Sequence, residues 1–308
     1  MYPLQGSAAG FFTIVGVTNT DHQPTTPSSW GGTTTALFQY VNLEDIASPL
    51  GHDCSVFDRV ETLTPGDTLN VLTDCHNIGS KFGYLVVTAQ DPGLFKTPWS
   101  FNHLIGSELV ASPLAGTFTL NAMPFKALAD KGEPTDADGD FQLDFDDLEY
   151  EGVPDELYID SFLAAADSAL VLINLTGGTL FDAIVGFDIW NDDEVALSST
   201  TTVRCWLYDR LEKISPVFQD DFLANNTPND PTELDIACTG VGEFETGWAR
   251  VRGIQANSFA QSIADPALIG AVTASPSKKI GGGRLLWESR ARQVNGDFLK
   301  FGVFDPEQ

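Results

Sequence analysis

Two stretches decide how this chain is read: "CSVFDRVETLTP" at residues 54–65 and "CWLYDRLEKISP" at residues 205–216. Both spell C-x-x-x-D-R-x-E-x-[LI]-[TS]-P, and they begin 151 residues apart. On a strand, residues two apart share a face. Cys54, Val56, Asp58 and Val60 then lie on one side, like Cys205, Leu207, Asp209 and Leu211. This side is expected to face a core, its Asp accepting backbone N–H groups. The other side carries Phe57, Arg59 and Glu61, or Tyr208, Arg210 and Glu212, where the guanidinium can lean on the ring and pair with the carboxylate. "TPGD" at 64–67 ends the first strand in a type II turn.

Further landmarks recur in the same order. "TIVGVTNT" ending at Thr20 resembles "LVLINLT" ending at Thr176, and "ALFQYVN" ending at Asn42 resembles "IVGFDIWN" ending at Asn191. Cys75 answers Cys238, Gly83–Tyr84 answers Gly247–Trp248, and "LIGSELVAS" at 104–112 answers "LIGAVTAS" at 268–275. Ordered self-similarity outranks local signals in setting architecture. The expectation is two tandem antiparallel β-sandwiches related by internal duplication, over residues 8–129 and 158–304, joined by an acidic connector at 130–157. Short Val-, Ile-, Thr- and aromatic-rich runs between Gly, Pro, Asn and Asp clusters place the chain in the all-β class. Sequence does not choose between immunoglobulin-like and jelly-roll-like topology. Short helices are expected at "PFKALAD", 124–130, and "SFAQSIAD", 258–265, and a loop at Gly281–Gly283.

The chain has 308 residues, 16 basic and 43 acidic, for a net charge of −27. Such a chain repels phosphate backbones and anionic membranes, so neither nucleic acid nor a bilayer surface is expected as a partner. No apolar run approaches the roughly 20 residues that span a bilayer. "GFFTIVGV" at 10–17 reads as a strand, not a signal peptide. The four cysteines fall two per copy, and the repeat pairs Cys54 with Cys75 and Cys205 with Cys238, which places the protein in an oxidising compartment.

Residues 130–160 hold 13 Asp or Glu and one Lys. Asp136, Asp138, Asp140, Asp144 and Asp147 occupy positions 1, 3, 5, 9 and 12 of a calcium-loop frame, with the Gln142 carbonyl at position 7. Hard oxygen donors at alternating positions let a short loop wrap one cation, so Ca2+ is the expected cofactor. The stretch resembles the D-x-D-x-D loops of EF-hand and thrombospondin-type repeats, departing from them in Phe141 at position 6 and in Asp147 where a longer Glu is usual.

Catalytic motifs are absent: the chain contains no G-x-S-x-G, P-loop, H-E-x-x-H or helix-opening G-x-G-x-x-G. His22, His52, His76 and His103 all lie in the first half, without ligand spacing. No enzyme is expected, and a hydrolase with an unrecognised carboxylate pair is the least favoured alternative. Trp30, in the polar loop "TTPSSWGGTTT" at 25–35, is a candidate to stack on a sugar ring, which makes a carbohydrate-binding module the runner-up. Sequons at Asn174 and Asn225 are candidate glycan acceptors.

"FDRVETLTPGDTLNVL" at 57–72, "GYLVVTAQDP" at 83–92 and "SFNHLIGSELV" at 100–110 resemble uncharacterised exported bacterial β-sandwich repeat proteins over the first third of the chain. That resemblance implies a secreted or cell-envelope β protein and brings no catalytic residues. A secreted or cell-surface structural protein, self-assembling or adhesive, is therefore expected. "AAGFFTIVGV" at 8–17 is its candidate strand for donation between subunits.

Overall fold

A computed structural model describes residues 1–288 except 7–9, 45–52, 79–81, 94–96, 113–115, 141, 165–167, 178–179, 192–193, 227–244 and 278–279. The chain is all-β. Eight strands come first: β1 (Tyr2–Gly6), β2 (Phe12–Asn19), β3 (Thr34–Glu44), β4 (Asp53–Leu63), β5 (Thr68–Leu72), β6 (Phe82–Gln90), β7 (Leu104–Ser112) and β8 (Gly116–Asn121). After the connector come β9 (Leu157–Leu163), β10 (Ser168–Asn174), β11 (Asp182–Asn191), β12 (Ala196–Arg204), β13 (Trp206–Arg210), β14 (Thr246–Asn257), β15 (Ser262–Ala264), β16 (Leu268–Ser277), β17 (Ile280–Leu285) and β18 (Trp287–Glu288). The helices are short: α1 (Thr73–His76), α2 (Leu211–Ile214) and α3 (Asp220–Asn226). Neither expected helix forms. Residues 124–130 are irregular, 262–264 are the short strand β15, and the Gly281–Gly283 run lies within β17 instead of a loop.

All strand pairs are antiparallel. Sheet I has the order β5-β2-β7-β8, sheet II β1-β6-β3-β4, sheet III β13-β10-β16-β17, and sheet IV β12-β11-β14-β9-β18. Number each unit's strands in chain order, leaving out the short β15 and β18. In both units one sheet then runs fourth-third-sixth-first and the other fifth-second-seventh-eighth. The landmarks ending at Thr20 and Thr176, and at Asn42 and Asn191, fall on strands of equal rank in this order, as do those at 83–84 and 247–248 and at 104–112 and 268–275. The opening motif does not: its first occurrence lies on β4, the fourth strand, and its second on β13, the fifth. The shared order is a property of the sheets; descent from one duplicated unit remains the expectation that the sequence raised.

Period-2 alternation stacks the sheets in four layers. In β3, Ala36, Phe38 and Tyr40 face sheet I across a core with Val15, Val17 and Leu85, while Val41 faces the other way. In β10 every residue is buried, because Leu170 and Leu172 enter the core with sheet IV while Val171 and Ile173 enter a different one. That third core lies between sheets II and III. Leu4, Val41, Tyr84 and Val86 meet Val171, Ile173, Trp206 and Ile269 there, with Phe118 and Leu120 of β8 alongside. The sandwiches therefore share an apolar interior of the kind found within a single domain, unlike the more polar contacts usual between domains.

The bridge corrects the expected cysteine pairing. Cys54 joins Cys205 across the two units, with Cα atoms 6.7 Å apart, and Cys75 is free and exposed on α1. Cys238 lies outside the described residues. The reason is tertiary: Cys54 lies at the start of β4 and Cys205 at the turn between β12 and β13, positions that stacking of sheet III on sheet II brings together. Trp206 Nε1 donates to the Pro3 carbonyl at 3.0 Å, and the Ser112 and Tyr208 hydroxyls are 2.7 Å apart, across the same junction.

The faces expected for β4 are reversed. It is the edge strand of sheet II, and Val56, Asp58 and Val60 are exposed while Phe57, Arg59 and Glu61 are half-buried. The Arg59 guanidinium does lie over the Phe57 ring, 5.2 Å from its centroid. In the second occurrence Arg210 pairs with Glu212 at 3.6 Å. The turn at 64–67 has the expected form, with Gly66 at φ +74° and Asp67 N–H donating to the Thr64 carbonyl at 3.1 Å.

Candidate metal centre

The connector is not a solvated linker. Leu143, Phe145, Tyr150 and Val153 insert into the core between sheets II and III, and Leu128 N–H and Glu151 N–H bond to the Glu149 and Lys126 carbonyls, both at 2.9 Å. These anchors hold the acidic segment as a strap against the junction. Within it, short-range Asx contacts shape the backbone: Gly139 N–H donates to Asp136 Oδ1 at 2.9 Å, Asp140 N–H to Asp138 Oδ1 at 3.1 Å, and Gln142 N–H to Asp140 Oδ1 at 2.8 Å. Gly139 supplies the left-handed residue this winding needs, at φ +80°.

Two overlapping trios of carboxylates result, Asp136–Asp138–Glu149 and Asp138–Asp140–Asp144, each with one oxygen per residue within 4.8 Å of the others. Calcium–oxygen bonds of about 2.4 Å put opposite ligands about 4.8 Å apart, so each trio fits one shell. Asp144 and Glu149 are buried and Asp138 and Asp140 exposed, so the group is a half-sunk bowl that could hold a metal ion.

Four of the residues expected from spacing, Asp136, Asp138, Asp140 and Asp144, thus come together. Gln142 is tied to Asp140 through its backbone and side-chain N–H groups. Asp147 belongs to neither trio. It takes a left-handed conformation, φ 67°, and its Oδ1 accepts Gly152 N–H at 2.6 Å. Glu149, missed by the loop frame, takes its place because the chain turns back after Asp147: Tyr150 N–H reaches the Asp144 carbonyl at 3.1 Å. The signal in the sequence was the longer acid two residues on, but only the turn shows that it points inward.

Glu149 is 5% exposed; it accepts a bond from Ala137 N–H, while its Oε2 has no hydrogen-bond partner. Burial pushes this carboxyl up to about 7, and the neighbouring Asp144 and Asp136 charges add to the rise despite backbone N–H donors from Ala137 and Asp144. A buried carboxylate with one oxygen unpartnered, clustered with other carboxylates, suits a cation.

The remaining candidates are dispersed. His76 Nδ1 is 2.7 Å from the Tyr40 hydroxyl and its Nε2 3.4 Å from Glu61, while His103 lies 3.8 Å from Asp21 and His22 is exposed; His52 is outside the described residues. Trp30 is 47% exposed on its loop. Asn174 is fully buried, with Nδ2 donating to the Phe181 carbonyl at 3.4 Å and Oδ1 accepting from Thr176 N–H at 3.1 Å, so in the fold it is a turn-former. Residues 12–19, within the segment read as a donated strand, pair on both sides inside the chain, with β5 and with β7.

Compared with known proteins, the chain matches no family model, no curated protein and no solved structure.

Proposed function

We propose that this chain is a calcium-braced structural subunit of an extracellular or cell-surface assembly. The observation that carries the reading is the buried Glu149 carboxylate, one oxygen unpartnered, clustered with aspartates in the strap that lines the junction between the sandwiches. An ion there neutralises mutually repelling carboxylates and fixes the strap on the shared core, a mechanical role. The inter-unit disulfide fits an oxidising compartment. Oxygen-only donors, several of them exposed and adaptable, suit Ca2+ better than the smaller, more rigidly hydrated Mg2+.

Calorimetric titration of the chelator-treated full chain with CaCl2 tests the brace. Heat of binding and a higher melting temperature are expected, the stabilisation reaching about 2.7 kcal/mol at a hundred times Kd. Both are expected to vanish in Glu149→Gln and Asp138→Asn. Absence of heat in the native chain refutes it. Light scattering of purified protein with calcium tests assembly, with particles larger than one chain expected.

A further inference from the structure

We propose that copies of this chain stack face to face in a line, the free face of sheet IV in one copy covering the free face of sheet I in the next. This names the contact for the assembly proposed above and rests on that reading. Within the chain, sheet II, of order fourth-third-sixth-first, packs on sheet III, of order fifth-second-seventh-eighth. The contact joins two different faces, so among the described residues it leaves one of each kind without a partner sheet: sheet IV has the order of sheet II, and sheet I the order of sheet III. A heterologous contact of this type repeats without closing unless its rotation happens to form a ring.

Both open faces have the chemistry of a contact. On sheet I, Phe12, Ile105 and Leu109 are 41%, 60% and 36% exposed. The other outward positions of β2, β5, β7 and β8 are small, polar or apolar and none is charged, on a chain of net charge −27. Sheet IV presents the kinds of side chain that anchor interfaces. Trp190 and Trp248 stack with centroids 4.0 Å apart, and Trp248 and Trp287 are 38% and 64% exposed. Arg250 beside them bonds Asp188 through Nε at 3.0 Å and Glu156 through Nη1 at 3.2 Å. Those charges are already paired, so covering them strands none. Elsewhere the acid excess drives copies apart; on sheet IV the acids Asp160, Asp182 and Asp188 are each paired with an arginine, and on sheet I no outward strand position is charged.

Sedimentation velocity of the full chain with calcium tests the stack, using Ile105→Asp to spoil the sheet I face, Trp248→Asp to spoil the sheet IV face, and Val60→Lys to spoil the β4 edge. Leu109→Lys and Trp287→Asp are second variants for the two faces, and circular dichroism checks folding. The native chain and Val60→Lys are expected to form species larger than dimers, and each face variant to self-associate at least about tenfold more weakly, 1.4 kcal/mol. An equimolar mixture of Ile105→Asp and Trp248→Asp is expected to form dimers and nothing larger, each partner retaining one sound face. Assembly unaffected by the face variants, assembly lost in Val60→Lys alone, or a mixture that stays monomeric overturns the stack while leaving the assembly reading standing. A native chain that remains monomeric removes the assembly reading and the stack with it.

Discussion

At the residue scale, Glu149 couples stability to pH. Its ordinary value is 4.5 and burial raises it to about 7, so the metal-free fold holds this proton more tightly than the unfolded chain does. The contribution is complete below pH about 4.5 and is lost as pH rises through about 7. In chelator, the native protein should therefore lose up to about 3 kcal/mol over that interval relative to Glu149→Gln, which has no proton to lose. Urea denaturation of both proteins between pH 4 and 8 measures it; parallel curves would show that the carboxyl ionises freely. Gly139 makes a second residue-scale case. No atom lies within 4 Å of where its Cβ would be, but φ is +80°. Gly139→Ala should cost about 1 kcal/mol through backbone strain alone, read from the melting temperature, and weaken calcium binding with it.

At the element scale, β10 shows why the sandwiches cannot be treated separately. An ordinary sandwich strand alternates buried and exposed positions, yet Leu170 and Leu172 lie in one core and Val171 and Ile173 in another. Ile173→Ala and Leu172→Ala should each destabilise the protein by about 2–5 kcal/mol, as core truncations do. Denaturant melts followed by tryptophan fluorescence check this. A near-neutral Ile173→Ala would mean that the junction between sheets II and III is loosely packed. The uninterrupted apolar run "ALVLI" at 169–173 did carry this information, since a strand covered on both faces has no polar alternation. β4 shows the opposite case, where alternation is clear but its sense is undetermined. Val and Asp share one face, Phe, Arg and Glu the other, and either assignment puts a charge beside a core. The ring decided it: Phe57 buries more apolar area than a Val, and Arg59 and Glu61 are long enough to carry their charges to its rim, Arg59 Nε donating to the His76 carbonyl at 3.2 Å.

At the scale of the whole molecule, the two units share a core, the strap and the Cys54–Cys205 bridge, so they should unfold as one body. The bridge closes a loop of 151 residues, worth about 5 kcal/mol in the chain-entropy account. Peptide mapping of non-reduced protein should find Cys54 joined to Cys205. Reduction should lower the denaturation midpoint while leaving a single transition for both units. Two separated transitions, one per sandwich, would show that the third core contributes little.

The β class, most strand positions and the gathering of aspartates at 136–144 were legible in the sequence, because each follows from local rules: period-2 alternation, turn chemistry and ligand spacing; the order of the strands within each sheet was not. Which strand face is covered, which cysteine meets which, and that Glu149 and not Asp147 completes the carboxylate cluster are set by segments far apart in the chain, and no local pattern encodes them. Self-similarity even pointed the wrong way for the cysteines, since it matched Cys54 to Cys205 as counterparts and so sought their partners elsewhere. Packing one sandwich on the other made the counterparts neighbours, because burying the outer faces of sheets II and III together removes more apolar surface from water than leaving each exposed.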